Sequence, residues 1–124
     1  MIAEATLCVA LAVFHEARSE PWESKMAVAL VVRNRARKNN TSYCWEVFRD
    51  RQFTAIEDRR NRQVLPKGSA WKDALQIART ALNTSADFTN GATEYHLIKE
   101  PAWWAPYMIP IGDWGAHRFY RKAT

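Results

Sequence analysis

The stretch Ala5-Thr6-Leu7-Cys8-Val9-Ala10-Leu11-Ala12-Val13-Phe14-His15-Glu16-Ala17-Arg18-Ser19-Glu20-Pro21 decides how the rest of the chain is read. Its opening run, Ala5 to Phe14, is apolar enough to pass for the core of an export signal. No Lys or Arg precedes it, however, and His15, Glu16 and Arg18 stand where small residues would mark a cleavage site. The run is also too short to span a bilayer. Leu7, Leu11 and Phe14 recur at helical spacing, with Ala10 and Val13 widening the stripe, which predicts a first core helix over 2–17. Pro21 disfavours a helical conformation at Glu20, so the helix ends near Arg18 or Ser19. On this reading the chain carries no obvious export signal of its own, and Glu16 sits in the last turn of a core helix.

Outward from that stretch, Pro21 suits the first position of a second helix. Trp22, Met26, Ala27, Leu30, Val31 and Asn34 share one broad face of it, and Asn39-Asn40 gives a stop signal. A short helix over 42–49 buries Tyr43, Cys44, Val47 and Phe48. Residues 51–68 read as a long polar loop, from Gln52-Phe53-Thr54 to Pro66-Lys67-Gly68, and loops of that length in a small domain are often functional. A further helix over 69–82 places Trp71, Ala74, Leu75, Ala78 and Leu82 on one face, with Ser69 as its N-cap. From Gly91 onward, 92–98, 109–111 and 116–121 read as short extended segments punctuated by proline and glycine. The expected fold is α+β, mainly α: one domain over 1–124, helical first, with short β segments toward the C-terminus folding back onto the helices.

At 124 residues the chain suits one domain and buries enough surface to stand without a metal or disulfide staple. With 18 basic and 13 acidic side chains its net charge is +5, which favours a polyanionic partner without choosing one. The densest basic stretch is Arg49, Arg51, Arg59, Arg60 and Arg62: a solvated loop, or a hold on an acidic partner. Cys8 and Cys44 make neither a zinc ribbon nor a disulfide scaffold. On apolar helix faces they are expected as two buried free thiols, a single bridge being the alternative. The three histidines, His15, His96 and His117, do not make an HExxH site, since Ser19 occupies the place of the second histidine. No metal and no cofactor are expected, and there is neither a glycine-rich phosphate loop nor a GxSxG elbow.

Glu16 is the candidate for chemistry. A carboxyl at the end of an apolar helix, just past Phe14, is only half wet. Partial desolvation disfavours the charged form of a carboxyl, as a general acid working near neutrality requires. The competing reading pairs Glu16 with Arg18. Glu20 is the one other carboxylate nearby in sequence; it is an auxiliary candidate, orienting Arg35 or a water, or a partner in a structural ion pair. The amide of Gln52 and the hydroxyl of Thr54 suit the N-acetyl groups of a sugar, with Phe53 between them as core. Trp103, Trp104 and Trp114 lie in loop-like sequence where sugar rings stack on aromatic faces, with at least one of them expected to be buried. Asn34 is expected to be structural, holding a neighbouring loop.

The ordered set Glu16-Ala17-Arg18-Ser19-Glu20-Pro21, Met26-Ala27-Val28-Ala29 and Val31-Val32-Arg33-Asn34-Arg35 resembles the SleB-type cell wall hydrolases, spore cortex-lytic enzymes and related phage endolysins. The resemblance continues through Val47, Gln52-Phe53-Thr54, Ala81-Leu82, Gly91-Ala92-Thr93-Glu94-Tyr95-His96, Pro101 to Trp104, and His117-Arg118-Phe119-Tyr120. Ser19 departs from a common glycine, and no separate wall-binding domain is expected. The resemblance implies a lysozyme-like fold and cleavage between N-acetylmuramic acid and N-acetylglucosamine. It places the catalytic glutamate on Glu16 and a tyrosine facing it on Tyr95. His96, Trp103, Trp104, Gln52 and Thr54 are the expected sugar-binding residues.

Most glycosidases need two carboxyl groups. A lytic transglycosylase manages with one, because the substrate supplies its own nucleophile, and that is the implied reaction. A hydrolytic muramidase is the first alternative. A stem-peptide amidase would need metal ligands or a Cys/His pair, and a nucleic-acid-binding module would need a basic stripe. The expected partner is peptidoglycan, met by a monomer without nucleic acid or stable membrane insertion. A phage-type endolysin, made in the cytoplasm and acting on the wall after release, fits these features.

Overall fold

The computed structural model describes residues 2–49 and 65–123. The expected Gln52, Phe53 and Thr54, and four of the five clustered arginines (Arg51, Arg59, Arg60 and Arg62), lie outside the described residues.

Among the described residues four α-helices precede a small sheet: α1 (Glu4–Ala17), α2 (Trp22–Asn39), α3 (Tyr43–Arg49) and α4 (Ser69–Leu82). Six successive residues of α1, Cys8 to Val13, are buried, so the helix is apolar on every side rather than along one stripe. A helix of that kind belongs in the middle of a fold, and α1 is flanked by α2, α3 and α4. The middle of α2 contributes Ala27, Val28, Ala29, Leu30 and Val31 to the same core, and α4 contributes Trp71, Ala74, Leu75, Ile77, Ala78 and Ala81.

The helix boundaries follow local chemistry. Pro21 is the extended N-cap of α2 rather than its first helical residue. At the other end Asn40 takes the left-handed conformation (φ 56°), which asparagine tolerates, and its N–H and that of Thr41 both reach the Ala36 carbonyl. Gly68, not Ser69, caps α4, at a φ of 92° that explains the choice of glycine. Trp22, assigned from its spacing to the buried face of α2, is 53% exposed.

The two cysteines are not free thiols. Cys8 and Cys44 form a disulfide that ties α1 to α3, with Cα atoms 5.1 Å apart. Each cysteine lies on a helix face turned to the other helix, and their pairing depends on the crossing of α1 and α3, which the local pattern does not specify.

Strands β1 (Glu94–Leu97), β2 (Ile109–Trp114) and β3 (His117–Arg121) form an antiparallel sheet in the order β1-β3-β2. A short 3-10 turn, Ala105–Tyr107, leads into β2. Tyr95 stands opposite Phe119, and the register of β2 against β3 slips between Pro110 and Gly112. Pro110 is tolerated because β2 is an edge strand. Phe119 is fully buried and carries the sheet onto the helical core. The architecture is the expected α+β, mainly α, fold.

The sheet is fastened to α2 by buried polar groups. Asn34 donates to the Asp87 carboxylate and to the Ala92 carbonyl, each at 2.9 Å, in the structural role expected of it. Arg33, 1% exposed, donates to the carbonyls of Ala81, Thr84 and Ala86 and so closes the end of α4 and the loop behind it. Among the described residues no helix is long and apolar enough to cross a membrane.

Candidate active site

Two elements meet at Glu16. Helix α1 delivers it one residue before its end, where the side chain is half-buried. Strand β1 delivers Tyr95, whose hydroxyl donates to Glu16 Oε1 at 2.9 Å. The Tyr95 ring is held by Phe119 (centroids 5.3 Å apart) and by the edge of His117 (5.4 Å), so the hydroxyl is aimed by packing. The Arg18 guanidinium lies over the Phe14 ring, 4.7 Å from its centroid.

Glu20 does not orient Arg35. Its Oε1 accepts the backbone N–H of Ala116 at 2.6 Å and lies 3.7 Å from His117 Nδ1. Arg35 instead donates to the Thr93 carbonyl and pairs with Glu94. The Glu20 carboxylate thus fixes the β2–β3 turn against the start of α2. That turn requires Gly115: its φ is +60°, and a Cβ there would run into Glu20 Oε1 and lie within 3.0 Å of Ser24 Cβ.

His117 enters the sequence reading only as a metal candidate, yet it lies 3.7 Å from Glu20 and feels the carboxylates of both glutamates. It is buried, with Nδ1 3.3 Å from the Ser24 hydroxyl. Burial pushes its pKa below the ordinary histidine value, while the carboxylates of Glu20 and Glu16 push the other way. A neutral His117 can accept from Ser24 and keep its place without adding a cation beside Glu16. Its position directly after the Gly115-Ala116 turn is the sequence signal that could have found it.

The other expected sugar-binding residues are placed differently. Side chains alternate along a strand, so His96 points to the face opposite Tyr95. There it stacks on Tyr120 (centroids 5.4 Å) and meets the edge of Trp104 (5.6 Å). His96 Nδ1 donates to the Leu97 carbonyl at 2.7 Å, which leaves Nε2 to accept the Tyr120 hydroxyl at 2.8 Å. Trp103 is 84% exposed. The structure gathers His96 and Trp104 into an aromatic group of their own and does not bring them to Glu16. Of the three tryptophans, Trp114 is the one packed against the core, half-buried rather than fully buried.

An aromatic series that spacing did not reveal leads to the site instead. Trp22 stacks on Phe88 (6.3 Å), Phe88 meets Trp114 (5.2 Å), Trp114 meets Phe119 (5.3 Å), and Phe119 holds Tyr95. Its outer members, Trp22 and Phe88, are 53% and 43% exposed. Exposed aromatic faces of this kind suit the C–H faces of sugars. Among the described residues no group of three His, Cys, Asp or Glu side chains is placed to hold a metal ion. The arrangement supports proton transfer by one carboxyl group, held by a phenol, beside aromatic faces.

A family model described as cell wall hydrolase matches residues 19–120. The structure also matches the catalytic domain of the germination-specific lytic transglycosylase SleB from Bacillus anthracis, at 26% identity and a TM-score of 0.77 over 96% of both chains. It matches the catalytic domain of the Bacillus cereus SleB protein at 27% identity and a TM-score of 0.74, over 98% of this chain and 93% of the other. No curated protein matches the chain.

Proposed function

The chain belongs to the cell wall hydrolase family, and on that premise we propose that it cuts the glycan strand of peptidoglycan between N-acetylmuramic acid and N-acetylglucosamine, with Glu16 as its acid and base. The span matched by the family begins past Glu16, so the role of this residue rests on its own geometry. The observation that carries it is the 2.9 Å hydrogen bond from Tyr95, which fixes one half-buried carboxyl group where the sheet meets the end of α1.

Protonated Glu16 donates to the glycosidic oxygen, and the bond from that oxygen to the muramic C1 breaks. The resulting carboxylate takes the proton of the muramic C6 hydroxyl as O6 bonds to C1, closing a 1,6-anhydro ring. No second carboxylate is needed, and the nearest in sequence, Glu20, is committed to the Ala116 N–H. The likeness to a lytic transglycosylase supports this course. The exposed faces of Trp22 and Phe88 receive sugar rings beside it.

The same reading makes the protein a monomeric wall enzyme of endolysin type that acts outside the cytoplasm after release. The Cys8–Cys44 bridge supports work in an oxidising space.

Digestion of purified peptidoglycan with wild type and with Glu16→Gln tests the proposal. Wild type is expected to release muropeptides lighter by one water than hydrolytic products, and Glu16→Gln none. Full activity of Glu16→Gln overturns the assignment of the acid. Reducing-end products from wild type overturn the ring closure.

A further inference from the structure

Away from Glu16, the C-terminal part of α2, the start of β1 and the end of β3 enclose two adjoining depressions. One, of about 310 Å³, is bordered by Arg35, Lys38, Arg49, Thr93, Lys122 and the carboxylate of Glu94. The other, of about 370 Å³, shares Lys38, Thr93 and Lys122 with it and adds Arg37 and Arg121. Of the six cations around them, Arg35 and Arg49 hold the carboxylates of Glu94 and Glu46. Arg37, Lys38 and Lys122 make no ion pair among the described residues. Two buried polar atoms here also lack a hydrogen-bond partner, Thr93 Oγ1 and Arg121 Nε. Thr93 is only 5% exposed and borders both depressions. Cations without an ion-pair partner around two depressions suit an acceptor-rich, anionic ligand.

The distance to the catalytic end of the fold is that of a short peptide. Ser24 lies under His117. Arg35 is eleven residues further along α2, about 16 Å at ~1.5 Å per residue. A peptide of about four or five residues, fully extended at ~3.3–3.6 Å each, spans roughly 13–18 Å. Peptidoglycan carries such a peptide on its muramic acid, and that peptide bears free carboxylates. We propose that the paired depressions bind the carboxylates of the stem peptide on the strand being cut, so that the enzyme prefers peptide-bearing glycan to bare glycan. This rests on the reading of peptidoglycan as the substrate. Two depressions joined through Lys38 and Lys122 suit two carboxylates on one peptide.

The test compares kcat/KM on peptide-bearing strands with that on strands stripped of peptide by an amidase. Wild type is expected to favour peptide-bearing strands by about tenfold, the scale of one charge-assisted hydrogen bond at a partly exposed site. In Lys38→Ala/Lys122→Ala the ratio falls below about twofold. Lys72→Ala/Arg79→Ala, which removes the same charge from α4, keeps the wild-type ratio. An equal ratio in wild type and Lys38→Ala/Lys122→Ala overturns the proposal, as does competition by duplex DNA that exceeds competition by free stem peptide. If wild type cuts both substrates equally well, the glycan-cleaving function stands and only this inference falls. If it cuts neither, both fall.

Discussion

Replacing Tyr95 by phenylalanine removes one oxygen and nearly nothing else. The ring keeps its contacts with Phe119 and His117, so the core beneath it is unchanged. What is lost is the 2.9 Å hydrogen bond to Glu16 Oε1. A hydrogen bond to a charged group contributes roughly 1.5–3 kcal/mol. Glu16 and Tyr95 are both half-buried, and water can replace part of that bond, which brings the expected loss to about 1–2 kcal/mol. Because the bond positions the reacting carboxyl and does not hold substrate, the loss belongs in the chemical step. Tyr95→Phe is therefore expected to lower kcat by roughly five- to thirtyfold while KM moves less than about threefold. Release of muropeptides from purified sacculi, at several substrate concentrations, gives both constants. A kcat within twofold of wild type refutes the idea that Tyr95 aims the acid. A rise in KM alone would instead make Tyr95 a sugar contact.

Three further outcomes follow from the same structure. Breaking the Cys8–Cys44 bridge by Cys→Ala at both positions removes a closure across 36 residues, worth roughly 3–4 kcal/mol on the chain-entropy account; denaturant unfolding reads it, and the folded fraction keeps its specific activity. Burial pushes the Asp87 carboxyl up, but hydrogen bonds from Thr89, Asn34 and Gly91 outweigh it and hold the pKa below the usual carboxylate value. Its contribution to stability is therefore complete above the unfolded value of about 3.9 and is lost as pH falls from there through the folded value; unfolding midpoints against pH should show an acid limb that Asp87→Asn flattens. Gly115→Ala forces a side chain into a φ of +60° and into Glu20, for an expected loss of about 1–3 kcal/mol by thermal unfolding, whereas Ala116→Gly at the next position costs under about 1 kcal/mol.

Much of the fold was legible because its main signals are local. The helical period over Leu7, Leu11 and Phe14, the break at Pro21 and the two asparagines after Lys38 each act within a turn or two of chain, and the helices end within one or two residues of where those signals put them. Glu16 was legible for the same reason, since its position depends only on where α1 stops. What depends on the meeting of distant elements was not legible. The disulfide needs α1 and α3 to cross at one level, and α1 looked one-sided because nothing in its pattern says that three helices surround it. The buried polar groups went unread for a related reason. Arg33 and Glu46 are charged residues inside helices, and only the orphan carbonyls after α4 and the amide and hydroxyl of Asn39 and Thr41 give them a reason to be buried.

The sugar-binding residues show the limit most sharply. His96 sits next to Tyr95 in sequence, and the resemblance over Gly91 to His96 made it a candidate for the same site. In a strand that nearness works the other way, because adjacent side chains leave opposite faces. Tyr95 therefore reaches Glu16 while His96 joins Trp104 and Tyr120 on the far side. Trp22 is the converse case: helical spacing placed it in the core, yet it follows Pro21 at the start of α2, where it is 53% exposed and Phe88 supplies its partner. A residue's place at this site follows from the face of the element that carries it, and for both residues that face was fixed by the packing of the sheet against α2 rather than by any run of neighbours in the chain.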